Sequence, residues 1–545
     1  MNVLGISGSE RDAAAAVARG GRIVAAASEE IFARVTGIGY SATGGYPLRA
    51  IQACLDRANV SLDAIDRVVV VDDARADGTA GPASDADEVA WGPDLESIAC
   101  TLRSRASERI MPVDADAQQL RAATGDDLVV FVAGGDSDGI LSIEHRGGRS
   151  APARRIAGSA ELFCAMKRVA VALHGRPVHR PLAAIERIAA SGYGDADAAT
   201  ATAFHLASGG GIVVDENRLA EVLALVRADD GDRSGAYRLE RVRQSVAAGF
   251  CDRLESVLTE LVAHDLARTG LARAGLAGNL FQSSRLTGAV ARAFDDRIVV
   301  APVPEPAGRA IGAAIAGNGA AVERLGTLAL GPEFDEEQIK IVLDNCRLEY
   351  LYEPDWVSLL ARVSRILTQG LVVAWFQGPA AFGTRPVGTR SILCDPSNKY
   401  ARDNINKFLR HGASEEPLGV SMTLAAAGEC CEAPLPSQAL ANVDRVVKPE
   451  WRDRLRATVD HRGHAPVQTI TSELAPRLAD LLELHRGLTS VPGLVNVPLS
   501  AHGEPTAAGP RDAVRLMFSS AVDALVIGRF LLMKDHWLLR SAART

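Results

Sequence analysis

Short apolar runs separated by glycine turns open the chain and predict an α/β region. Val3–Ile6 is an uninterrupted apolar run that predicts a short buried strand. Ala13–Ala18 and Arg22–Ala27 are two further apolar segments, and the Gly20-Gly21 pair between them predicts a hairpin-like turn. Leu48–Ala58 then shows the spacing of apolar residues that is typical of a helix.

The same pattern recurs about 125 residues later. Leu128–Val132 predicts a buried strand, Gly134–Gly139 is a glycine-rich turn, and Ile140–Ile143 resumes the strand. Helices follow here too, including a long amphipathic one predicted over Gln244–Leu266. Two similar strand–turn–strand openings, each followed by helices, predict a duplicated α/β domain.

The pattern changes near residues 326–332, and the remainder has its own alternation of helices and strands. Asp335–Asp344 and Trp356–Thr368 have helical periodicity, and Leu371–Phe376 is a strong candidate for a buried strand. At 545 residues the chain is too long for one ordinary core. We therefore predict two domains, residues 1–330 and 331–545, each of the α/β class.

Composition and charge narrow the function classes. The hydrophobic fraction of 47% and charged fraction of 23% are ordinary for a globular protein, and the formal net charge is −8. Because the chain is acidic and lacks a Lys/Arg stripe with interleaved aromatic residues, we expect no nucleic-acid partner. No apolar run is long enough to span a membrane, and the first residues lack the basic and apolar regions of a signal peptide.

Eight cysteines are present, and none of them forms a C-x-x-C pair. The vicinal pair Cys430-Cys431 is a poor signature for a disulfide or a zinc site, so reduced and mostly buried thiols are favoured. These features predict a cytoplasmic protein.

Three ordered motifs carry a resemblance to a known family. The first is G-I-S-x-x-x-x-D-A-A-A-A followed by an acidic pair and Arg34. The second runs W-F-Q-G from Trp375 and then F-G-T-R-P-V-G-T-R-S-I-L-C-D-P from Phe382 to Pro396. The third is Asn496 with Gly503-Glu504-Pro505 and a later Asp512-Ala513. Together they resemble the NodU/CmcH/TobZ carbamoyltransferase family over nearly the full chain.

The resemblance implies both a fold and an activity. It implies a duplicated N-terminal domain of the ASKHA type, the actin-like ATPase architecture, followed by a YrdC-like α/β domain. In such proteins the C-terminal domain converts carbamoyl phosphate and ATP to carbamoyl-adenylate. The N-terminal domain then passes the carbamoyl group to an acceptor, commonly a hydroxyl of a secondary metabolite.

The resemblance also implies an anion site in the C-terminal half. Carbamoyl phosphate is a small dianion, and guanidinium forks bind phosphate through two hydrogen bonds. Arg385 and Arg390 stand at the two Arg positions of the family motif, although two solvated surface arginines are the alternative. The donor site expected from the motifs comprises Arg385, Arg390, Lys407, Arg410, Asn496 and Glu504. Other family cations are missing, because Glu416 replaces one Arg and the segment 461–469 lacks another.

A nucleotide site is expected in the N-terminal half. The glycine turn resembles an ASKHA phosphate loop, in which backbone N–H groups hold phosphate, although a plain β-turn is an equal alternative. The nucleotide residues expected on this basis are Gly135, Asp136, Asp138, Gly139 and Gly278, with ATP as the cofactor.

The family's divalent metal site is not expected here. The segment Val113–Arg121 has no His where the family has H-H-x-x-H, and Pro306 stands where the family has an Asp. Asp114, Asp116 and Glu305 are the nearest substitutes, and carboxylates of this kind hold a hard cation weakly.

Three interpretations remain open at this stage. The chain is a divergent carbamoyltransferase, or a pseudoenzyme that pairs with an active paralogue, or a family member with altered, metal-independent chemistry. A homodimer or a heteromer with a paralogue is the expected assembly, beside a small-molecule substrate.

Overall fold

A computed structural model describes most of the chain. The described residues are 1–8, 10–40, 45–71, 95, 98, 102, 108–110, 112–124, 127–133, 139–146, 149–178, 180–190, 202–227, 233–318, 323–410, 417–432 and 443–535. The predicted site residues Gly135, Asp136 and Asp138, together with Glu416, lie outside them.

The first sheet begins with the predicted hairpin. Its strands are β1 (Asn2–Ser7), β2 (Ala14–Arg19), β3 (Arg22–Ser28), β4 (Arg67–Val71) and β5 (Glu108–Ile110), in the order β3-β2-β1-β4-β5. β1 pairs antiparallel with β2 and parallel with β4. Gly20 and Gly21 both have positive φ, as a tight turn between the antiparallel strands β2 and β3 requires.

The second sheet repeats this topology. Its strands are β6 (Leu128–Ala133), β7 (Ile140–Arg146), β8 (Arg149–Ser150), β9 (Arg154–Arg155), β12 (Ala274–Gly278) and β13 (Ile298–Val300). β6 pairs antiparallel with β7 and parallel with β12, in the order β13-β12-β6-β7-β8, while β9 also pairs with β7. A small separate hairpin is formed by β10 (Phe204–Leu206) and β11 (Ile212–Val214). The predicted duplication is therefore present in the strand order itself.

Nine helices accompany these sheets among the described residues of the first half. They are α1 (Glu30–Ala33), α2 (Leu48–Ala58), α3 (Pro112–Thr124), α4 (Ser159–His174), α5 (Pro181–Ala190), α6 (Glu216–Arg227), α7 (Arg233–Thr269), α8 (Ser284–Phe294) and α9 (Arg309–Ala316). The helix predicted over Gln244–Leu266 begins eleven residues earlier than expected (244 − 233), in α7. Its described first turns are largely solvent-exposed, so no apolar stripe marked them in the sequence.

The second half is built on a nine-stranded mixed sheet. Its order is β14-β22-β21-β15-β16-β20-β17-β19-β18. The strands are β14 (Leu351–Tyr352), β15 (Val373–Phe376), β16 (Arg390–Cys394), β17 (Val420–Thr423), β18 (Val443–Val446), β19 (His464–Ile470), β20 (Gly493–Pro498), β21 (Ala524–Ile527) and β22 (Phe530–Met533). The helices are α10 (Glu336–Asn345), α11 (Trp356–Thr368), α12 (Ala401–Asp403), α13 (Leu424–Cys430), α14 (Pro476–Thr489) and α15 (Pro510–Ser519). α10 starts at a capping box in which the Asp335 carboxylate accepts from the Gln338 N–H.

The two halves share one hydrophobic core. A single cluster of buried side chains runs from Val3 of the first sheet through Ile311 of α9 to Trp375 and Leu478 of the second half. The predicted α/β class with a duplicated first region is confirmed by the strand order of the sheets. The domain boundary near residue 330 stays a prediction.

Within the part of the chain that the structure describes, every helix is too short or too polar to traverse a lipid bilayer.

Candidate functional site

A loop from the second half inserts against the first half. Residues 377–389 connect β15 to β16, and they contact residues 279–282 and 303–305; we call this contact region the junction. The Thr384 N–H donates to Glu305 Oε1 at 2.7 Å. Gly383 precedes it with φ of +95°, and a Cβ there would stand 3.1 Å from both Glu305 Oε1 and Val303 Cγ1. Glycine is therefore required for the close approach of the two halves.

Arg385 lies at the centre of the junction. Its Nη2 donates to the carbonyl oxygens of Gln282 at 2.9 Å and Phe281 at 3.4 Å. Its Nη1 is buried and has no hydrogen-bond partner among the described residues. Burial lowers the pKa of Arg385, and the nearby Glu305 carboxylate opposes that shift. Arg385 thus has a buried N–H donor, at Nη1, that is without a partner among the described residues and belongs to a positively charged side chain held in place. An anion site requires a donor of this kind.

Arg390 has a different environment from the one predicted. Its side chain is fully buried, and Nη1 donates to the carbonyls of Gln377, Gly378 and Thr389 at 2.9–3.1 Å. Its guanidinium carbon lies 3.5 Å from the centre of the Phe376 ring, and burial lowers its pKa to about 9. Because the guanidinium already holds the ends of the loop, Arg390 is placed to shape the junction rather than to pair with Arg385 around one anion.

Four buried polar side chains form a row on one face of the large sheet. Asn496 Nδ2 donates to Ser421 Oγ at 2.8 Å, and Ser421 Oγ donates to Gln468 Oε1 at 3.2 Å. Ser391 lies on the same face of β16, two residues before Leu393, which pairs with Asn496. Asn496 Oδ1, Gln468 Nε2 and Ser391 Oγ have no partner among the described residues. Buried polar atoms of this kind normally have a partner, so the polar row has capacity for a ligand or for water.

The other predicted donor-site residues lie in different surroundings. Glu504 accepts from Arg515 at 2.6 and 2.9 Å and from Arg34 of the first half at 3.4 Å, and the Arg515 hydrogen bonds lower its pKa. Lys407 is exposed and pairs with Asp403 at 3.3 Å. Arg410 is half-buried and follows a π-helical turn. Glu504 therefore joins the two halves, and neither it nor Lys407 is placed among the buried groups of the junction.

The two described nucleotide residues flank the end of β6. Gly278 has φ of +94°, and a Cβ there would lie 2.1 Å from the Ala133 carbonyl oxygen. Gly139 has φ of +70° and lies against Ser159, whose Oγ accepts from the Ile140 N–H at 2.9 Å. Their close approach leaves no space for a side chain at either position, and the Gly278 N–H already donates to the Pro304 carbonyl oxygen at 2.8 Å.

The segments in which the family has metal ligands do meet in space. Gln119 of α3 accepts from the Val303 N–H at 3.1 Å, and Arg309 at the start of α9 donates to Asp116 at 3.1 Å. We call this region, between α3 and residues 303–309, the inter-lobe cleft. Among the described residues, no group of three His, Cys, Asp or Glu side chains is placed to hold a metal ion. The nearest substitutes for the missing ligands are already engaged, because Asp116 pairs with Arg309 and Glu305 accepts from the Thr384 N–H, and this arrangement suits a hard cation poorly.

A small cavity adjoins the inter-lobe cleft. It is lined mostly by alanine and glycine, including Ala380 and Gly383 of the junction, with Glu30 as its acidic residue. Burial raises the pKa of Glu30, and the carboxylates of Asp12 and Glu305 raise it further. Three carboxyl groups from separate segments thus approach one another beside the cavity.

Some of these residues were missed in the sequence. Ser421 is a polar residue between the apolar Val420 and Met422 of β17, and that pattern is the signal that could have identified it. Arg309 opens the otherwise apolar helix segment R-A-I-G-A-A-I-A, so a charged residue there was also visible.

Comparisons with known proteins agree with the motifs. Residues 364–534 match the family model described as carbamoyltransferase C-terminus. The chain is 29% identical to Nodulation protein NolO of Bradyrhizobium diazoefficiens, over 63% of the chain and 64% of that protein. It is 28% identical to Nodulation protein NolNO of Sinorhizobium fredii, over 53% and 44% of the two chains. Nodulation protein U of Bradyrhizobium diazoefficiens is 27% identical, over 50% and 47%. The chain thus spans only about half to two thirds of the length of these relatives.

One solved structure with detectable similarity is full-length HypF in the phosphate- and nucleotide-bound form. Its TM-score is 0.37 and its sequence identity is 11%, and the match covers 58% of this chain and 55% of that one. The activator of 2-hydroxyisocaproyl-CoA dehydratase from Clostridium difficile has a TM-score of 0.35 and 15% identity, with coverage of 58% and 94%. Residues 364–534 thus resemble the carbamoyltransferase C-terminus, and the chain is similar over part of its length to the nodulation proteins, in agreement with the three motifs.

Proposed function

We propose that this protein transfers a carbamoyl group from carbamoyl phosphate, with ATP, to a small-molecule acceptor in secondary metabolism. In this scheme water hydrolyses carbamoyl phosphate to carbamate and inorganic phosphate. A carbamate oxygen then attacks the α-phosphorus of ATP and displaces pyrophosphate, which gives carbamoyl-adenylate. The acceptor hydroxyl then attacks the carbamoyl carbon, AMP leaves, and the hydroxyl proton passes to a base. The observation that carries the proposal is the buried, unfilled donor of Arg385 at the junction.

The polar row supports the same chemistry. A carbamoyl group has an NH2 that donates and a carbonyl that accepts. Asn496 Oδ1 is an acceptor and Gln468 Nε2 a donor, and neither has a partner among the described residues. Both therefore match the hydrogen-bonding groups of a carbamoyl moiety, while Arg385 supplies the charge that its phosphorylated form requires.

We also propose that ATP is the cofactor. The glycine positions 139 and 278 flank the end of β6, where a strand end and a turn can present backbone N–H groups to phosphate. We also place the protein in the cytoplasm, a proposal supported by the seven described cysteines, none of which is in a disulfide.

Pyrophosphate exchange tests the proposal directly. The full chain, incubated with ATP and labelled pyrophosphate, should exchange label in a manner that depends on carbamoyl phosphate. Arg385→Ala should lower that exchange by about 10–100-fold, as expected for loss of a hydrogen bond from a charged group. Arg477→Ala, which removes an exposed arginine of α14, is the control and should retain the exchange. Absence of carbamoyl-phosphate-dependent exchange in the unaltered chain would remove the activity claim.

A second candidate function is that of a partner subunit for an active paralogue. It is favoured by the poor fit of the inter-lobe cleft to a metal ion and by the engagement of Arg390 and Glu504 in internal contacts. Co-purification with a paralogue that contains H-H-x-x-H would support it, provided that exchange activity appears only in the mixed assembly. Exchange by the isolated chain would instead favour the first candidate.

A further inference from the structure

An ion pair lies between the two segments that form the inter-lobe cleft. Arg309 Nε donates to Asp116 Oδ2 at 3.1 Å, and the two side chains are only 12% and 1% exposed. Asp116 belongs to α3, and Arg309 is the first residue of α9. The pair therefore links the helix before the second sheet to the helix that packs against the first sheet.

Tight packing fixes this pair in position. A Cβ on Gly312 of α9 would lie 1.9 Å from the Ala115 carbonyl oxygen, and one on Gly308 would lie 2.4 Å from Gln119 Nε2. Helix α9 thus approaches the α3 backbone at Gly312, and the residue before α9, Gly308, approaches the Gln119 side chain of α3. Because neither helix can move apart without losing these contacts, the guanidinium is held between them.

Two further carboxyl groups, those of Asp12 and Glu30, lie near the pair, and Asp12 interacts with Arg309. Asp12 interacts electrostatically with Arg309 and with Glu305, and burial raises its pKa. Burial also raises the pKa of Glu30, which accepts from the Gly37 N–H at 2.8 Å. A divalent ion needs ionised carboxylates that converge on one point, whereas Glu30 accepts from a backbone N–H and Asp12 interacts with the Arg309 guanidinium.

We infer that Arg309 is the resident cation of the inter-lobe cleft, held there by Asp116, and that the cleft consequently does not take up a divalent metal ion. The guanidinium supplies a fixed positive charge between the lobes. A divalent ion at the same place would lie beside that charge and would compete with it for Asp116. The inference concerns this pair alone and is independent of whether the chain transfers a carbamoyl group.

Metal analysis of the full chain is the first test. Protein purified from cells supplied with Mn²⁺, Fe²⁺, Co²⁺ and Zn²⁺ should contain a substoichiometric amount of each by elemental analysis. Addition of Mn²⁺ or removal of metals by EDTA should leave the unfolding temperature unchanged, and Co²⁺ should give no ligand-field absorption. One equivalent of tightly bound divalent ion, with an EDTA-dependent fall in unfolding temperature, would overturn the inference.

Substitution of Arg309 is the second test. Arg309→Ala removes the ion-pair partner of the buried Asp116, so the unfolding temperature should fall by roughly 6 °C or more. Millimolar methylguanidinium or Mn²⁺ should then restore part of the loss, because the site is built for a cation. Lack of any rescue by either cation would contradict the assignment.

A matched pair elsewhere in the chain controls for general effects. Arg362 pairs with Glu353 at 3.2 Å, and those side chains are 16% and 15% exposed. Arg362→Ala should also destabilise the protein, but the added cations should not rescue it. If Arg309→Ala fails to fold, Arg309→Lys and Arg309→Gln replace it. The unfolding temperature should fall only slightly in the lysine variant and much further in the glutamine variant. Equal falls in the two variants would contradict the inference.

Discussion

The C-terminal side of the junction and the inter-lobe cleft of the first half both bury polar groups, but they differ in how their arginines are paired. Arg385 donates to two carbonyl oxygens and keeps Nη1 without a partner among the described residues. Arg309 instead forms an ion pair with the buried Asp116, although Gln119 Nε2 and Glu305 Oε2 of the same cleft also have no partner among the described residues. An arginine that donates only to carbonyl oxygens is able to bind an anion, whereas an arginine paired with a carboxylate supplies the counter-charge of that carboxylate.

Under the proposed function, the donor side is the junction together with the polar row, whose buried groups match a carbamoyl moiety, and the cleft holds a guanidinium paired with a carboxylate. Four substitutions test this comparison.

Arg390→Leu should have the largest effect, because it removes a scaffold within the donor side itself. The substitution leaves the carbonyls of Gln377, Gly378 and Thr389 without their buried donor. The free energy of unfolding should fall by about 3–5 kcal/mol, measured by urea denaturation. Arg385→Leu in the same loop should cost less than about 1 kcal/mol, because it loses two carbonyl contacts from a group that is otherwise unfilled. Equal losses would mean that both arginines are structural.

Gly383→Ala should open the junction. The backbone φ of +95° disfavours alanine, and the new Cβ would press on Glu305 Oε1 and Val303. A loss of about 1–3 kcal/mol in the free energy of unfolding is expected, together with reduced pyrophosphate exchange. Gly45 provides the control, because it has φ of +98° and a Cβ added there would meet nothing within 4 Å. Gly45→Ala therefore measures strain without contact, and an identical loss in both variants would show that the junction tolerates the added methyl group.

Glu186→Gln tests the first-half side of the junction through pH. Ser283, directly after the segment that Arg385 contacts, donates to Glu186, and burial raises the pKa of Glu186 from 4.5 to about 7. The folded state therefore holds the proton more tightly than the unfolded state. The stabilising contribution is fully present below pH 4.5 and is lost as the pH rises through 7. Glutamine resembles the protonated form, so the variant should be more stable than the parent by about 1–2 kcal/mol at pH 8.

The difference between variant and parent should disappear near pH 4. Thermal unfolding of both proteins across this range is the measurement. A constant difference at all pH values would show that the carboxyl group does not titrate in this window.

Much of the fold could be predicted from the sequence because local signals and tertiary structure agreed. The Gly20-Gly21 turn, the helix Trp356–Thr368 and the strand following it were read from periodicity and turn residues alone, and the structure contains each of them. The start of α7 could not be read, because its first described turns are largely exposed and carry no apolar stripe.

The candidate site was predictable only in part. Arg385 and Asn496 were found because they stand in motifs, and both keep unfilled atoms in buried positions. Arg390 donates to four carbonyl oxygens, and Glu504 accepts from Arg34. These contacts depend on the tertiary structure, which brings residues distant in sequence together. Sequence spacing fixes which residues are present in a loop, but it does not fix which of them face a cleft. The Arg309–Asp116 pair, 193 residues apart, lies beyond any local signal.

Asn496→Leu should have the smallest effect on stability. It tests whether the polar row binds a ligand or only stabilises the fold. Asn496 Oδ1 already lacks a partner among the described residues, and Ser421 retains its hydrogen bond to Gln468. The free energy of unfolding should therefore change by less than about 1 kcal/mol, while carbamoyl-phosphate-dependent exchange should be lost. In Asn398, by contrast, Nδ2 donates to the Gly370 carbonyl and Oδ1 accepts from the Tyr400 N–H. Asn398→Leu should cost more stability and leave exchange in the surviving folded fraction intact. If Asn496→Leu proves the more destabilising of the two, Asn496 Oδ1 has a hydrogen-bond partner within the protein. The polar row then has no free atom at Asn496 for a ligand, and its difference from the inter-lobe cleft is lost.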